Sequence, residues 1–227
     1  MNKKLLIFGT HEIADLAYRY FKDTNEYSIE AFIVDDAYKH QDVMNDIPVI
    51  PYSEVKEKFK PKDFKFHIAI SFKQFNQLRE KIYQRVKKDG YEFESYISPN
   101  STILTKDIGD NVFILENQTI QHDVKIGNNV VIWSSNHIGH GSIIEDSTYI
   151  SSHVVISGHV SIGKRSFIGV NSAVKDFCKI GSDCFISMGS NVTSNLNPGS
   201  IVLPQKSEIL NSKDRRAKFI IKKYFFS

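Results

Sequence analysis

The side chains best suited to chemistry in this 227-residue chain are its eight histidines, and five of them (His122, His137, His140, His153 and His159) fall between residues 108 and 192. An imidazole titrates near neutrality, so one held beside an open space suits general-base work. His122, His140 and Gly158 are evenly spaced, three hexapeptides apart at each step. If the chain returns to the same point every three hexapeptides, His140 lies above His122 and beneath a glycine that leaves room for a ligand. Asp123 precedes Gly141 by the same spacing. It would then sit one coil below and orient or charge-stabilise the His140 imidazole, as a carboxylate does for a catalytic histidine. His122 is the rival base and His137 a supporting residue. For any one of these rings, ordinary surface exposure is the competing reading.

Such a return requires a particular scaffold, and the sequence spells it out. From Ile108 to Val192 every sixth residue is a branched aliphatic, fifteen positions in one register, thirteen Ile and two Val. A period of six matches neither a helix nor a simple strand, and it predicts a hexapeptide β-helix. Each hexad supplies one face, three faces close a coil, and coils stack at roughly 4.8 Å, giving five coils. Four residues after each aliphatic come mostly small or β-branched side chains, from Val112 to Leu196, expected to point inward. Cys178 and Cys184 hold this inward position, which predicts two buried thiols and neither a disulfide nor a metal pair. Glycine directly follows the aliphatic at Gly109, Gly127, Gly139, Gly163, Gly169 and Gly181, where turns between faces are expected. A generic solenoid or an ice-binding protein would carry the same repeat.

The first hundred residues alternate strand and helix and predict a small parallel-sheet α/β domain. The spacing predicts strands over 4–9, 28–34, 66–71 and 93–97, and helices over about 11–21, 53–59 and 74–88. Pro48 and Pro51 read as a connection. The opening strand–Gly–helix resembles a nucleotide-binding unit, although His11 replaces the middle glycine of the Gly-x-Gly-x-x-Gly/Ala pattern. Asp35 and Asp36 follow the second strand, where a carboxylate could meet a ribose or sugar hydroxyl or could merely solvate a turn. The expected organisation is an α/β domain over 1–98, with the joint at Ser98–Ser101, a β-helix over 99–204 and a basic helical tail over 205–227.

A hydrophobic content of 41% supports a core in each domain, and a net charge of +3 is too small to point to nucleic acid. The tail carries Lys206, Lys213, Arg215, Arg216, Lys218, Lys222 and Lys223 against only Glu208 and Asp214. No apolar run is long enough for a membrane span, and Met1–Lys4 leads straight into a strand, so the expectation is a cytoplasmic protein.

The strand ending in Phe8-Gly9, the Asp35-Asp36 pair and the hexads carrying Trp133-Ser134-Ser135-Asn136-His137-Ile138-Gly139-His140-Gly141 resemble, over about 4–203, one family of bacterial enzymes. These are the nucleotide-aminosugar N-acetyltransferases of the bacillosamine and perosamine pathways, together with the sialic acid O-acetyltransferases. The resemblance implies a Rossmann-like N-terminal domain, a left-handed parallel β-helix, and a homotrimer with acetyl-CoA lying along the β-helix between subunits. It implies His140 as the base in direct acyl transfer to a nucleotide-linked amino sugar, without a protein nucleophile. It implies an acetyl-CoA groove at Tyr149, Gly158, Val170 and Met188, and a nucleotide-sugar pocket at His11, Glu12, Ile13, Asp35, Asp36 and Ser71. A backbone N–H near Gly158 is the expected oxyanion donor, and the basic tail would meet the phosphates of coenzyme A or pack on a neighbouring subunit. Three positions depart from the family: Gly141 replaces an acid, Tyr149 a second histidine, and Gly9-Thr10-His11-Glu12 the glycine-rich loop. An O-acyl acceptor, another acyl-CoA, or a non-catalytic β-helix trimer binding metal through His122, His140 and His159 are the alternatives.

Overall fold

The computed structural model describes residues 3–225; Met1 and Asn2, expected to lead into the first strand, and Phe226 and Ser227 at the end of the tail lie outside the described residues. The N-terminal elements are β1 (Lys3–Phe8), α1 (Glu12–Asp23), β2 (Tyr27–Val34), β3 (Val43–Met44), β4 (Ile47–Pro51), α2 (Val55–Lys58), β5 (Lys65–Ile68), α3 (Gln77–Lys88) and β6 (Glu92–Phe93). The sheet order is β3-β4-β2-β1-β5-β6, parallel except for the β3–β4 hairpin. The chain steps outward from β1 through β2 to β4 and then crosses to β5, so the order reverses between β1 and β5. That is where a Rossmann-like sheet opens a crevice at its carboxyl ends. The central strands are apolar on both sides, and Leu5, Leu6, Ile7, Phe32, Ile33 and Phe66 are fully buried between helices.

Two expectations for this half are corrected. The segment read as a connection is the strand β4, whose Val49, Ile50 and Pro51 pair with β2. Two prolines are tolerated there because only the short β3 lies beyond it. The helix expected from Gln74 starts at Gln77, because Gln74, Phe75 and Asn76 all have positive φ (54°, 50° and 60°). Three consecutive L-residues in that region are costly. They persist because packing holds them: Phe75 lies edge-on to Phe185 and the Asn76 amide donates to the Arg165 carbonyl at 3.1 Å.

The second half is a left-handed parallel β-helix of short strands on three faces. Every inward Ile or Val from Ile114 to Val192 is buried, as are the inward residues four positions on, from Val112 to Ser190, Cys178 and Cys184 among them. The β-helix extends further than the unbroken register. Tyr96–Ile97 pairs with Phe113–Ile114 and Thr102–Ile103 with Thr119–Ile120, each one residue short of three full hexads. Ile201–Val202 pairs with Phe185–Ile186, two residues short. The strand expected over 93–97 is therefore two: β6 belongs to the first sheet, and Tyr96–Ile97 already belongs to the β-helix.

The turns also differ in detail. The residue three after each aliphatic adopts positive φ at every corner from Asn111 to Gly189, and Asn, Asp, Ser and His fill most of these places. This is the left-handed third position of a type II-like turn. The six glycines expected at turns open them, Gly163 and Gly169 accepting the Ser166 and Ser172 N–H groups at 3.4 and 3.3 Å, but a second constraint requires glycine there. A Cβ on Gly139 would lie 2.5 Å from the Ser157 carbonyl carbon, and one on Gly163 2.5 Å from the Ser182 nitrogen. They are glycine because the next coil's backbone passes directly over them.

One face of the β-helix presents Tyr96, Phe113, Val131, Tyr149, Phe167 and Phe185 outward. Tyr149, Phe167 and Phe185 form a stacked ladder, and Phe72 packs on the first two of these. The α/β domain is clamped here. Arg79 of α3 is fully buried and donates to Asn129 Oδ1 at 3.0 Å, while burial pulls its guanidinium down to about 10. Asn111 Oδ1 accepts the Ile68 N–H of β5 at 2.7 Å. The last helix, α4 (Arg215–Phe225), lies within the expected tail and buries only Ala217 of its described residues. No helix among the described residues is long and apolar enough to cross a membrane.

Candidate functional site

His140 stands at the corner between the strands His137–Ile138 and Ile143–Ile144. Gly139 brings the next coil close, Gly141 turns the chain at φ +65°, and the imidazole between them is left exposed. The column expected from the three-hexad spacing is present. A Cβ on Gly158 would lie 2.9 Å from His140 Cε1, so the ring rests against a residue that has no side chain. The neighbouring column holds His159, whose Nδ1 is 2.5 Å from where a Gly141 Cβ would be. Its ring meets His140 edge to face, with centroids 4.7 Å apart, and is stacked in turn on Phe177 at 5.2 Å. The space that a side chain at 141 would need is thus filled by His159.

The polar partner of His140 is Gln121. Its Oε1 accepts the His140 backbone N–H at 2.9 Å and lies 3.3 Å from Nδ1. Among the described residues no hydrogen bond engages Nε2. The carboxylate expected from Asp123 makes no hydrogen bond to His140. Asp123 occupies the left-handed turn position (φ 59°) one coil below, whereas Gln121, just ahead of it in the chain, spans the rise between coils to a corner N–H that the strand ladder leaves free. His122 contributes its backbone carbonyl to the Gly141 N–H at 3.1 Å. Of the backbone N–H groups near Gly158 expected to offer an oxyanion donor, that of Gly158 itself already donates to Asp176 Oδ1 at 3.0 Å. Column spacing alone misses Gln121 and His159 as partners of His140. Gln121 and His159 each fall one residue outside the three-hexad step; the pointers to His159 are its place in the metal-binding alternative and the bare Gly141 one coil below it.

The remaining positions of the expected acetyl-CoA groove do not gather around His140 within one chain. Val170 and Met188, both exposed, line the opposite edge of the face that presents Thr119, His137, Val155, Ala173 and Asn191. Tyr149 is 3% exposed, is pressed against Phe72 and accepts a hydrogen bond from Trp133 Nε1, so it has almost no free surface. Burial pushes its phenol up. Among the described residues no three His, Cys, Asp or Glu side chains gather to hold a metal ion.

In the α/β domain, His11, Glu12 and Ile13 follow β1 and Ser71 follows β5, so they flank the crevice between these strands, with Asp35 and Asp36 beyond the end of β2. Gly9 has φ +129°, and a Cβ there would meet the Ala69 carbonyl oxygen at 2.5 Å, so this turn admits only glycine. Both carboxylates are partly engaged. Asp35 pairs with Arg85, which lies over the Tyr52 ring, and Asp36 accepts the Ser53 hydroxyl, which holds its carboxyl below the usual range.

The fold and site define a class: a Rossmann-like domain seated on a left-handed hexapeptide β-helix, with His140 exposed at a corner. Residues 4–86 match the family model for the PglD N-terminal domain, and residues 108–217 match that for the GMPPB C-terminal domain. The acetyltransferase domain of PglB from Neisseria gonorrhoeae FA1090 superposes with a TM-score of 0.77 at 19% identity, covering 88% of this chain and 96% of that one. A perosamine N-acetyltransferase mutant from Caulobacter crescentus, in complex with CoA and GDP-perosamine, does so with 0.77 at 19% identity over 87% and 92%. WeeI from Acinetobacter baumannii AYE gives 0.74 at 22% identity over 91% and 99%. No curated protein matches the sequence. The fold is therefore the one that the resemblance to the bacterial nucleotide-aminosugar N-acetyltransferases implied.

Proposed function

We propose that this protein is an acetyl-CoA-dependent N-acetyltransferase that acts on a nucleotide-linked amino sugar for surface glycan synthesis, with His140 as general base. One observation carries the reading: His140 stands exposed beneath Gly158, with its Nδ1 side turned to a carbonyl and its Nε2 without a hydrogen bond among the described residues. The amine of the sugar attacks the thioester carbonyl while Nε2 takes its proton, a tetrahedral oxyanion forms, and the coenzyme A thiolate leaves and recovers a proton from the imidazolium. Positioned general-base catalysis of this kind contributes about 100- to 10,000-fold. Both cysteines are buried, which favours direct transfer over an acyl-cysteine.

The likeness to structures that hold acetyl coenzyme A, or CoA with GDP-perosamine, supports these substrate classes. The nucleotide-sugar would lie in the β1/β5 crevice against His11, Glu12, Ile13 and Ser71, with Asp35 and Asp36 closing one end. Because Val170 and Met188 stand a full face away from His140, the acetyl-CoA groove would run between copies of a homotrimer, one copy offering His140 and Gly158 and the next Val170 and Met188.

The test is thiol release from acetyl-CoA with a panel of UDP-, dTDP- and GDP-linked amino sugars, comparing wild type with His140→Ala. Release with one amino sugar, abolished in the variant, is the expected result. Release unchanged in His140→Ala would refute His140 as the base. Release only with a hydroxyl acceptor or another acyl-CoA would replace the amine or the acetyl group in the reading.

A further inference from the structure

We infer that Gln121 is the positioning residue of His140, a neutral side chain that selects the ring tautomer. The inference rests on the reading of His140 as the base. The Oε1 of Gln121 receives the His140 backbone N–H at 2.9 Å, and a group that accepts an N–H must be the carbonyl end of the amide. The same oxygen lies 3.3 Å from Nδ1. Since this oxygen has no proton to give, Nδ1 is the protonated nitrogen and donates to it, leaving the lone pair on Nε2. One acceptor thus ties both the backbone and the ring of the same residue, which fixes the ring's rotation as well as its tautomer.

The other groups around the ring set its place and leave its tautomer to Gln121. His159 meets it edge to face, Gly158 offers no side chain, and the Asp176 carboxylate is taken by the Gly158 N–H. Gln121 in turn is held in reach by the ladder, its own N–H donating at 3.0 Å to the carbonyl of Ile138, close before the histidine. Gln121 is a positioning residue because it acts on the reacting atoms only through His140.

The experiment uses the full chain labelled with ¹⁵N in histidine. Long-range ¹H–¹⁵N spectra, recorded at a pH where the ring is neutral, separate protonated from unprotonated ring nitrogens. The His140 signals are those lost in His140→Ala. The expected wild-type pattern is a protonated Nδ1 and a bare Nε2. Gln121→Ala should shift the ring toward Nε2–H and lower kcat by about 10-fold or more with little change in KM, as loss of part of a general-base contribution requires. Gln121→Glu keeps an acceptor in the same place and should restore the Nδ1–H tautomer. A protonated Nε2 in the wild type, or a tautomer and kcat that ignore Gln121→Ala in a protein of unchanged melting temperature, would overturn the inference. Failure of the base reading looks different: His140→Ala would then retain thiol release whatever the tautomer proves to be.

Discussion

Replacing Gly158 by alanine should separate site geometry from fold stability. An alanine Cβ at this position would lie 2.9 Å from His140 Cε1, 3.2 Å from Nε2 and 3.3 Å from Nδ1. Non-bonded carbons sit comfortably at about 3.5–4.0 Å, so one of the two groups must retreat by roughly 0.6–1.1 Å. Gly158 is buried in the backbone stack, whereas the imidazole is exposed, so the ring moves. That displacement stretches the 3.3 Å contact to Gln121 and carries Nε2 away from its place. A shift of about 1 Å at a reacting group can cost on the order of 100-fold in rate. Gly158 has no positive φ, and an exposed side chain yields cheaply, so stability should change by no more than about 0.5 kcal/mol. Initial rates of thiol release and a thermal melt of the same preparation make the test. A melting temperature within a degree or two of wild type and a kcat lowered 10- to 100-fold is the expected pair of results. Unchanged kcat would refute the placement of His140 as the base.

The same substitution one coil below should behave oppositely. Gly139→Ala places its Cβ 2.5 Å from the Ser157 carbonyl carbon, a backbone atom held by the strand ladder, so it should destabilise by about 1–3 kcal/mol or more. At about 2–4 °C per kcal/mol for a chain of this size, the melting temperature should fall by several degrees or more. His67 provides a pH test of the α/β core. It is buried, its Nδ1 meets the Glu94 carbonyl, its Nε2 has no partner among the described residues, and burial lowers it from 6.5 to about 4. The unfolded chain therefore takes up a proton that the native chain refuses. The contribution is fully present above about pH 6.5 and is lost as pH falls to about 4, on the order of 3 kcal/mol in all. Denaturant midpoints for wild type and His67→Leu at pH 7 and pH 4.5 should show the smaller drop in the variant; equal drops would refute it.

How much of this is legible in the chain follows from the range of the forces involved. The hexad register from Ile108 to Val192 and the strand–helix alternation before it are local burial patterns, readable because each inward residue repeats at a constant offset. The same rule fails where the offset slips. Ile97 and Ile103 open coils one residue short of three hexads and Val202 ends one that is two short, so they fall out of frame although the coils stack on in the same way. The six glycines after the aliphatics stand out in the sequence and do open the turns between faces; that they also meet the next coil's backbone is a fact about stacking, invisible along the chain.

For the site, the sequence by itself determined that His140 and Gly158 share a column, because a coil of three hexads leaves no other place for them. Only the tertiary structure decided what touches the ring. A column spacing locates a backbone to within one coil, whereas hydrogen bonds depend on side-chain reach over the few ångströms between coils. That reach passed over Asp123 at the turn and brought in Gln121 and His159. Tyr149 was decided in the same way: its hexad position makes it outward, and the seating of the α/β domain on that face then buries it, since Phe72 and the aromatic ladder remove more apolar surface together than either does alone.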